Sequence, residues 1–178
     1  IQSWVTGFDV NKGDATLGFL EKSHKYHKKF ADKFDIKEKS DWYKLTENET
    51  NYFYKKGCVE KKIYCPKGSL VLWDSRTIHC GVGPIKDRDD SNFRCVVYLC
   101  YTPKKLANKK IIDKRIKAFE EHRMTCHWPH KPKLFAKKPR TFGKELKVMG
   151  KIKKPTLTKL GKSLVGYSVI NKTKDVSV

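Results

Sequence analysis

The segment 68–101 constrains the fold more than any other part of the 178-residue chain. It contains two long apolar runs, 69–73 and 93–101, which are rich in β-branched and aromatic residues and are bounded by Gly, Pro and Asp. Such a composition is typical of strands that pack into a core. A third short run, 77–80, carries a single histidine, His79. The segment therefore predicts three strands, one of which presents an imidazole.

A charged residue interrupts the second long run. Arg94 follows Phe93 and precedes a stretch of apolar residues. A guanidinium inside an otherwise apolar strand is costly unless an anion pairs with it. We therefore expect Arg94 to meet a carboxylate, either of a ligand or of the protein itself, with Asp74 as one candidate. For His79 the alternative is a structural histidine whose ring is satisfied by Asp74 or by a backbone carbonyl.

The flanking sequence predicts further strands joined by short turns. Residues 1–10 alternate between bulky and small side chains, 11–14 contain the Asn and Gly of a turn, and 15–20 form a second apolar run. The opening of the chain is therefore predicted to be a hairpin. A weak alternation over 59–64 leads through a Pro-x-Gly turn into the central segment. Strands separated by short turns indicate an antiparallel sandwich or barrel, not a doubly wound α/β sheet.

Helical patterns flank these strands. Ser23 is expected to cap a helix that carries Phe30 and Phe34 on one side. A second short helix is expected over 49–55. Apolar residues recur at helical spacing over 104–123 and predict an amphipathic helix with cationic faces.

The positive charge is concentrated in the C-terminal part of the chain, which has a net charge of +21 at pH 7. Residues 1–103 contain 18 Lys and Arg against 14 Asp and Glu, a net +4, whereas residues 104–178 contain 22 against 5, a net +17. We therefore predict a near-neutral core domain over 1–103 and a basic helix with an extended tail over 104–178. So basic a segment can bind nucleic acid or another polyanion, although a solvated lysine surface needs no partner.

Membrane and redox signals in the sequence are weak. No window reaches the ~18 apolar residues that a membrane span requires, and the first residues do not resemble a signal peptide. The six cysteines form no Cys-x-x-Cys pair, and three of them lie in apolar runs where free thiols commonly pack. We expect a cytoplasmic protein in a reducing compartment, with packaging in a virion as the alternative.

Four motifs occur in an order that resembles one known family. They are Ser-His at 23–24, Pro-x-Gly-x-Leu-Val-x-Trp-Asp over 66–74, the lone His79, and Phe-Arg-x-x-x-Tyr over 93–98. Together they resemble the C-terminal two thirds of the phytanoyl-CoA dioxygenase family, over residues 2–101. Within that family, the opening stretch of the chain is similar to uncharacterised relatives from protists, algae and large DNA viruses. The resemblance implies a mainly β (α+β) fold, a double-stranded β-helix or cupin-like jelly roll with peripheral helices. It also implies an Fe(II)- and 2-oxoglutarate-dependent dioxygenase that acts on a small molecule.

Two residues of this chain take the places of the family's site residues. The resemblance assigns His79 as an iron ligand and Arg94 as the cation that binds the far carboxylate of 2-oxoglutarate. Non-haem oxygenases hold iron with two histidines and one carboxylate on one face. A planar guanidinium suits a carboxylate better than an ammonium group does. No further catalytic residue is assigned.

The chain departs from the family pattern in three ways. It lacks the His-x-Asp or His-x-Glu motif that supplies the other two ligands, so we expect that motif upstream of Ile1, with loss of iron as the alternative. Gly81 stands where the family often has a hydroxyl. An insertion over 86–91 supplies Arg88 as a rival for the oxoacid, although we expect Arg88 to pair with the aspartates around it. The alternative function is an inactive jelly-roll scaffold with a basic tail, in a virion or associated with nucleic acid.

Overall fold

The computed structural model describes residues 1–37, 42–90, 92–137, 143, 145 and 153–167. The chain divides into two compact units, Ile1–Leu99 (unit 1) and Cys100–Val178 (unit 2). The described strands are β1 Gln2–Thr6, β2 Thr16–Leu20, β3 Glu60–Lys62, β4 Leu70–Trp73, β5 His79–Val82 and β6 Val96–Cys100. The described α-helices are α1 His27–Lys33, α2 Glu47–Lys55, α3 Lys109–Glu120 and α4 Lys159–Val165. This is a mixed α+β architecture.

The strands form two small antiparallel sheets, in the orders β4-β1-β6 and β3-β2-β5. β1 and β2 are the central strands of the two sheets, because each has a neighbour on both sides. On one side they pair with the segment 59–73, from Gln2 opposite Trp73 in one sheet to Leu20 opposite Glu60 in the other. On the other side, β5 pairs with β2 and β6 lies beside β1. Unit 1 is thus a three-stranded ribbon bent into two sheets.

The predicted hairpin over residues 1–20 is wrong. A turn does reverse the chain, since the Asp14 N–H donates to the Asn11 carbonyl over 3.0 Å. However, β1 and β2 lie in different sheets and do not pair with each other. Alternation within a strand indicates that it has a buried face, but it does not identify the partner strand. Both strands find their partners far along the chain, which buries residues on both of their faces.

An inner core lies between the two sheets. It contains Trp4 of β1, Leu17 of β2 and Val10, and Val71 and Val96 pack against it from β4 and β6. Trp4 is 1% exposed. Because side chains alternate along a strand, these positions fix which other residues of each strand face inward.

Helices α1 and α2 cover the opposite face of the β3-β2-β5 sheet. Phe30, Tyr52 and Phe53 form an aromatic cluster with Leu20 of β2. The ring centroids of Phe30 and Phe53 are 4.9 Å apart. A capping box formed by Thr46 and Glu49 starts α2, two residues before the predicted start.

Ser23 does not cap a helix, contrary to the prediction. A 3-10 turn, Ser23–Tyr26, leads into α1, and neither element has a side-chain cap at its start. The buried Ser23 hydroxyl donates to the Leu20 carbonyl over 2.7 Å and accepts from the Ile78 N–H over 2.9 Å. The hydroxyl therefore joins the end of β2 to the residue that precedes His79.

The outer face of the β4-β1-β6 sheet is exposed over much of its area. Leu70 and Leu72 of β4 are 51% and 55% exposed, and Val97 of β6 is 62% exposed. Among the described strands, β3, β4, β5 and β6 each have a neighbour on one side only. Unit 1 thus has open edges on both sheets and one open apolar face.

The helix predicted over 104–123 in unit 2 is divided in two. A 3-10 turn, Lys104–Leu106, precedes α3, and Asn108 caps α3 by accepting from the Ile111 N–H over 3.0 Å. The tail prediction missed α4, which packs against α3 with the rings of Tyr167 and Phe119 6.1 Å apart. A short Lys- and Gly-containing helix depends on such packing more than on propensity. Residues 168–178 of the predicted tail lie outside the described residues.

The helices of the described ranges are short compared with the thickness of a bilayer. None of them is both long enough and apolar enough to cross a membrane. This agrees with the sequence, in which no apolar window reaches the length of a span.

Candidate functional site

His79 opens β5 and faces the space between the two sheets. It lies opposite Phe19, two residues beyond the core residue Leu17 on β2. Residues that lie opposite each other in a ladder share a face, so His79 points to the same side as Leu17. Its ring lies edge-on to that of Trp73 in β4, with centroids 5.5 Å apart. The imidazole of one sheet thus contacts the indole of the other.

A hydrogen bond fixes the tautomer of the His79 ring. Its Nδ1 lies 2.7 Å from the carbonyl oxygen of Thr77. Because a carbonyl can only accept, Nδ1 carries the proton, and a neutral ring keeps its lone pair at Nε2. Metal-ligating histidines use this arrangement, in which one nitrogen donates to a carbonyl and the other binds the metal. Of the two structural partners predicted for this ring, the backbone carbonyl is present.

Arg94 lies two residues before β6, on the side of that strand that faces the inner core. Val96 packs against the inner core, and extended residues two apart share a side. Arg94 Nη2 donates to Tyr98 Oη over 3.0 Å, which places both side chains on the same side as Val96. Arg94 is exposed, and no carboxylate of the described residues forms an ion pair with it. Its guanidinium is therefore available to an external anion.

Asp74, the predicted internal partner, pairs with a different cation. Its carboxylate accepts from Arg76 Nη2 over 2.6 Å and from the Arg76 backbone N–H over 2.9 Å. These hydrogen bonds lower the pKa of Asp74. Asp74 is thus neutralised locally and does not serve as the partner of Arg94 or His79.

His79 and Arg94 therefore face the same inter-sheet space from different sheets. No hydrogen bond between described residues joins the two side chains. Across the described ranges, no group of three or more His, Cys, Asp or Glu side chains is arranged to hold a metal ion. The site thus offers one imidazole with a free lone pair and one guanidinium, which fit part of an iron and oxoacid centre and do not complete it.

Two indole N–H groups at the inner core were not identified as candidates from the sequence. Trp4 Nε1 and Trp73 Nε1 are buried and have no hydrogen-bond partner among the described residues. A buried donor without a partner is rare and often marks a position that a ligand or ordered water satisfies. Trp73 is the indole in contact with His79. The sequence pattern placed both residues in predicted strands, but a pattern cannot show that their polar atoms lack partners.

Arg88 pairs with Asp14. We had expected it to pair with the aspartates of its own loop, so that prediction is wrong. Arg88 Nη1 lies 2.9 Å from Asp14 Oδ1, and the Asp14 side chain is 3% exposed. A Cβ atom at Gly13 would lie 2.7 Å from Arg88 Nη1, so the guanidinium occupies space that only glycine leaves open. Arg88 therefore anchors the 86–91 insertion to the turn between β1 and β2, and it is not available to bind an oxoacid.

We predict that Asp14→Asn lowers the stability of unit 1 at neutral pH. Hydrogen bonds from the Asn11 N–H, and then from the Asn92 N–H and Arg88, lower the pKa of Asp14 in the folded protein. A lowered folded-state pKa adds stability above the unfolded pKa of about 3.9, and this stability is lost as the pH falls through the folded value. Urea unfolding should thus separate the variant from the unmodified protein clearly at pH 7 and less clearly near pH 3.

A matched control for this prediction is Asp32→Asn. Asp32 pairs with Lys28 on the exposed side of α1, with side chains 64% and 87% exposed. Exposed pairs of this kind contribute little to stability, so the control should unfold like the unmodified protein at both pH values. Equal effects of the two substitutions at pH 7 would contradict an anchoring role for Asp14.

Comparisons with known proteins place few limits on identity. No family model matches the chain, and no solved structure matches it. A curated protein of Aspergillus versicolor, Ava biosynthesis cluster protein O, is 32% identical over 101 residues, which are 57% of this chain and 31% of that protein. The chain thus spans about a third of the length of the curated relative that it matches.

Proposed function

We propose that unit 1 belongs to an Fe(II)- and 2-oxoglutarate-dependent dioxygenase of the phytanoyl-CoA dioxygenase type, built on a jelly roll. The winding of the strands supports this proposal. Along the chain, β1 pairs with β4, β2 pairs with β3 and with β5, and β6 lies beside β1. A long two-stranded ribbon wound into two sheets produces this nesting, which is the construction of a jelly roll.

The open edges of unit 1 fit the same winding. One more turn of the ribbon would place one strand beside β5 and another beside β6, each of which has a single neighbour among the described strands. A strand beside β5 would lie next to His79. We propose that the two remaining iron ligands lie on such a strand. This arrangement accounts for a lone imidazole at the inward start of β5.

The proposed roles of the site residues follow from their geometry. His79 would bind iron through Nε2, because its Nδ1–H is held by the Thr77 carbonyl. Arg94 would hold the far carboxylate of the oxoacid through two parallel N–H donors, with Tyr98 orienting its guanidinium. With iron and 2-oxoglutarate bound, such a site would supply oxidising chemistry toward a carbon–hydrogen bond of a small-molecule substrate. The observation that carries the proposal is the inward orientation of His79 with an acceptor nitrogen free.

The name of the curated relative agrees with an enzyme. It describes a protein of a biosynthesis cluster, in which an oxygenase that modifies a small molecule has a natural place. A catalytically inactive jelly-roll scaffold with a basic extension is the alternative. The lysine-rich surface of unit 2 favours that alternative, because most of its described lysines form no ion pair with a described carboxylate.

The test of the proposed function is anaerobic titration of the complete natural protein with ferrous iron and 2-oxoglutarate. We expect the visible charge-transfer absorption that forms when an oxoacid chelates ferrous iron. Titration with succinate, which lacks the keto group, is the control and should give no such band. A complete protein that binds neither iron nor 2-oxoglutarate would support the scaffold alternative instead.

We predict that Arg94→Lys raises the Kd for 2-oxoglutarate at least tenfold and that Arg94→Ala raises it at least a hundredfold. The lysine keeps the charge and loses the second parallel hydrogen bond, whereas the alanine loses both, and each such bond contributes about 1.5–3 kcal/mol. Titration of the charge-transfer band gives both constants. The control is Arg76→Ala, which removes an exposed guanidinium that pairs with Asp74 and should leave the Kd unchanged. Equal constants for the Arg94 variants and the unmodified protein would contradict the role.

A further inference from the structure

Four lysines converge on one cavity on the far side of the β3-β2-β5 sheet from His79. Lys29 and Lys33 come from α1, and Lys55 and Lys56 come from the end of α2. The cavity has a volume of about 460 Å³. Residues four apart lie on one face of a helix, so Lys29 and Lys33 present their ammonium groups to the same side.

Among the described residues, no acidic side chain pairs with the lysines of this cavity. None of the residues lining it is acidic, and none of the four lysines forms an ion pair with a described residue. Of the acidic residues close in sequence, Asp32 pairs with Lys28 over 2.9 Å, Asp35 pairs with Lys37 over 2.9 Å, and Glu49 is buried in the capping box of α2. Several ammonium groups around one concave space repel each other, and an anion between them would relieve this repulsion.

An aromatic ring holds two of the ammonium groups in place. Lys33 Nζ lies 5.1 Å and Lys56 Nζ 6.0 Å from the centroid of the Tyr52 ring. Tyr52 is 8% exposed and belongs to the aromatic cluster, so it is a rigid support. Cation–π contacts of this kind orient a lysine without neutralising it. The cavity therefore brings together charges from two helices in a partly fixed arrangement.

The remaining lining residues define the kind of ligand. Asn48 and Asn51 line the cavity beside the lysines and can donate through their amide groups. A volume of this size is typical of small-molecule sites. A nucleic-acid duplex, by contrast, is bound by an extended surface. We propose that this cavity binds a small ligand that carries two or more phosphate groups. This site does not depend on the proposed oxygenase activity, because it lies on the other face of the sheet.

The experiment is calorimetric titration of the complete protein with inorganic pyrophosphate at low ionic strength. The double variant Lys33→Gln/Lys56→Gln should raise the Kd about a hundredfold, because each charged hydrogen bond that is lost costs about tenfold or more. Both lysines are exposed, so the variant should fold, and thermal unfolding checks this. The matched control is Lys28→Gln on the same helix, which removes a lysine that is paired with Asp32 and should leave the Kd unchanged.

Three results would overturn the proposal. The first is no measurable binding of pyrophosphate by the unmodified protein at low ionic strength. The second is an equal loss in the double variant and in Lys28→Gln, which would indicate a general effect of net charge. The third is a single-stranded oligonucleotide that loses affinity in the double variant while pyrophosphate does not, which would assign the lysines to a nucleic-acid surface. No arm of the experiment uses iron, so failure here is distinguishable from failure of the proposed oxygenase function.

Discussion

His79→Ala is expected to abolish the charge-transfer absorption of the complete natural protein with ferrous iron and 2-oxoglutarate. In the proposed site the ring is the metal ligand that this chain contributes, and its Nε2 is the atom left free once Nδ1 donates to Thr77. Loss of a residue that merely orients a ligand costs roughly 10- to 100-fold in metal affinity. Loss of the ligand itself should therefore weaken iron binding by more than a hundredfold and reduce turnover at least as much.

The control for this prediction is His27→Ala. His27 is exposed at the start of α1, so its removal should change neither the absorption band nor the thermal unfolding temperature. Thermal unfolding of His79→Ala is needed as well, because the ring packs against Trp73. A folded His79→Ala protein that retains the band at the same iron concentration would contradict the assignment and would return His79 to a structural role.

The strands of the central segment could be predicted because their side chains are nearly all apolar. Runs such as 69–73 and 93–101 combine β-branched and aromatic residues with turn residues at both ends, and β4 and β6 lie within them. The partners of β1 and β2 could not be predicted in the same way. Strand partners depend on contacts between residues as far apart as Gln2 and Trp73, and no local pattern encodes such a contact.

In the candidate site, too, some features could be predicted from the local sequence and others could not. The inward orientation of His79 follows from alternation once one core residue of the sheet is known. The hydrogen bond that fixes its tautomer, the unpaired indole N–H of Trp73 and the pairing of Arg88 with Asp14 all depend on three-dimensional proximity. A charged residue next to several aspartates suggested local pairing for Arg88, but the buried carboxylate at Asp14 is the stronger partner, because it is shielded from water.

The aromatic cluster outside the β3-β2-β5 sheet has a direct connection to the site. Ile78 packs against that cluster, its N–H donates to Ser23, and its carbonyl accepts from the Leu20 N–H over 2.9 Å. Ile78 immediately precedes His79, whose side chain projects to the opposite face. The helices on the outer face thus hold the backbone from which the imidazole projects inward.

Phe53→Ala should destabilise unit 1 by about 3–5 kcal/mol, the range observed when a large aromatic side chain is removed from a core. Phe53 is 0% exposed, and its ring lies 4.9 Å from Phe30 and 5.3 Å from Tyr52. Domains of this size have a total stability of about 5–15 kcal/mol, so the loss is a large part of the whole. Urea unfolding followed by tyrosine and tryptophan fluorescence measures it.

Tyr54→Ala is the matched control for Phe53→Ala. Tyr54 is the next residue of α2 and is 44% exposed, so its removal should cost well under half as much as removal of Phe53.

Because the cluster supports Ile78, we also expect Phe53→Ala to weaken iron binding by the complete protein at temperatures below its unfolding transition, although Phe53 does not face the inner core. Weakened iron binding in Phe53→Ala but not in Tyr54→Ala would show that the outer cluster positions His79. Unchanged iron binding in a clearly destabilised Phe53→Ala protein would show that the pairing of β5 with β2 is sufficient to hold the imidazole in place.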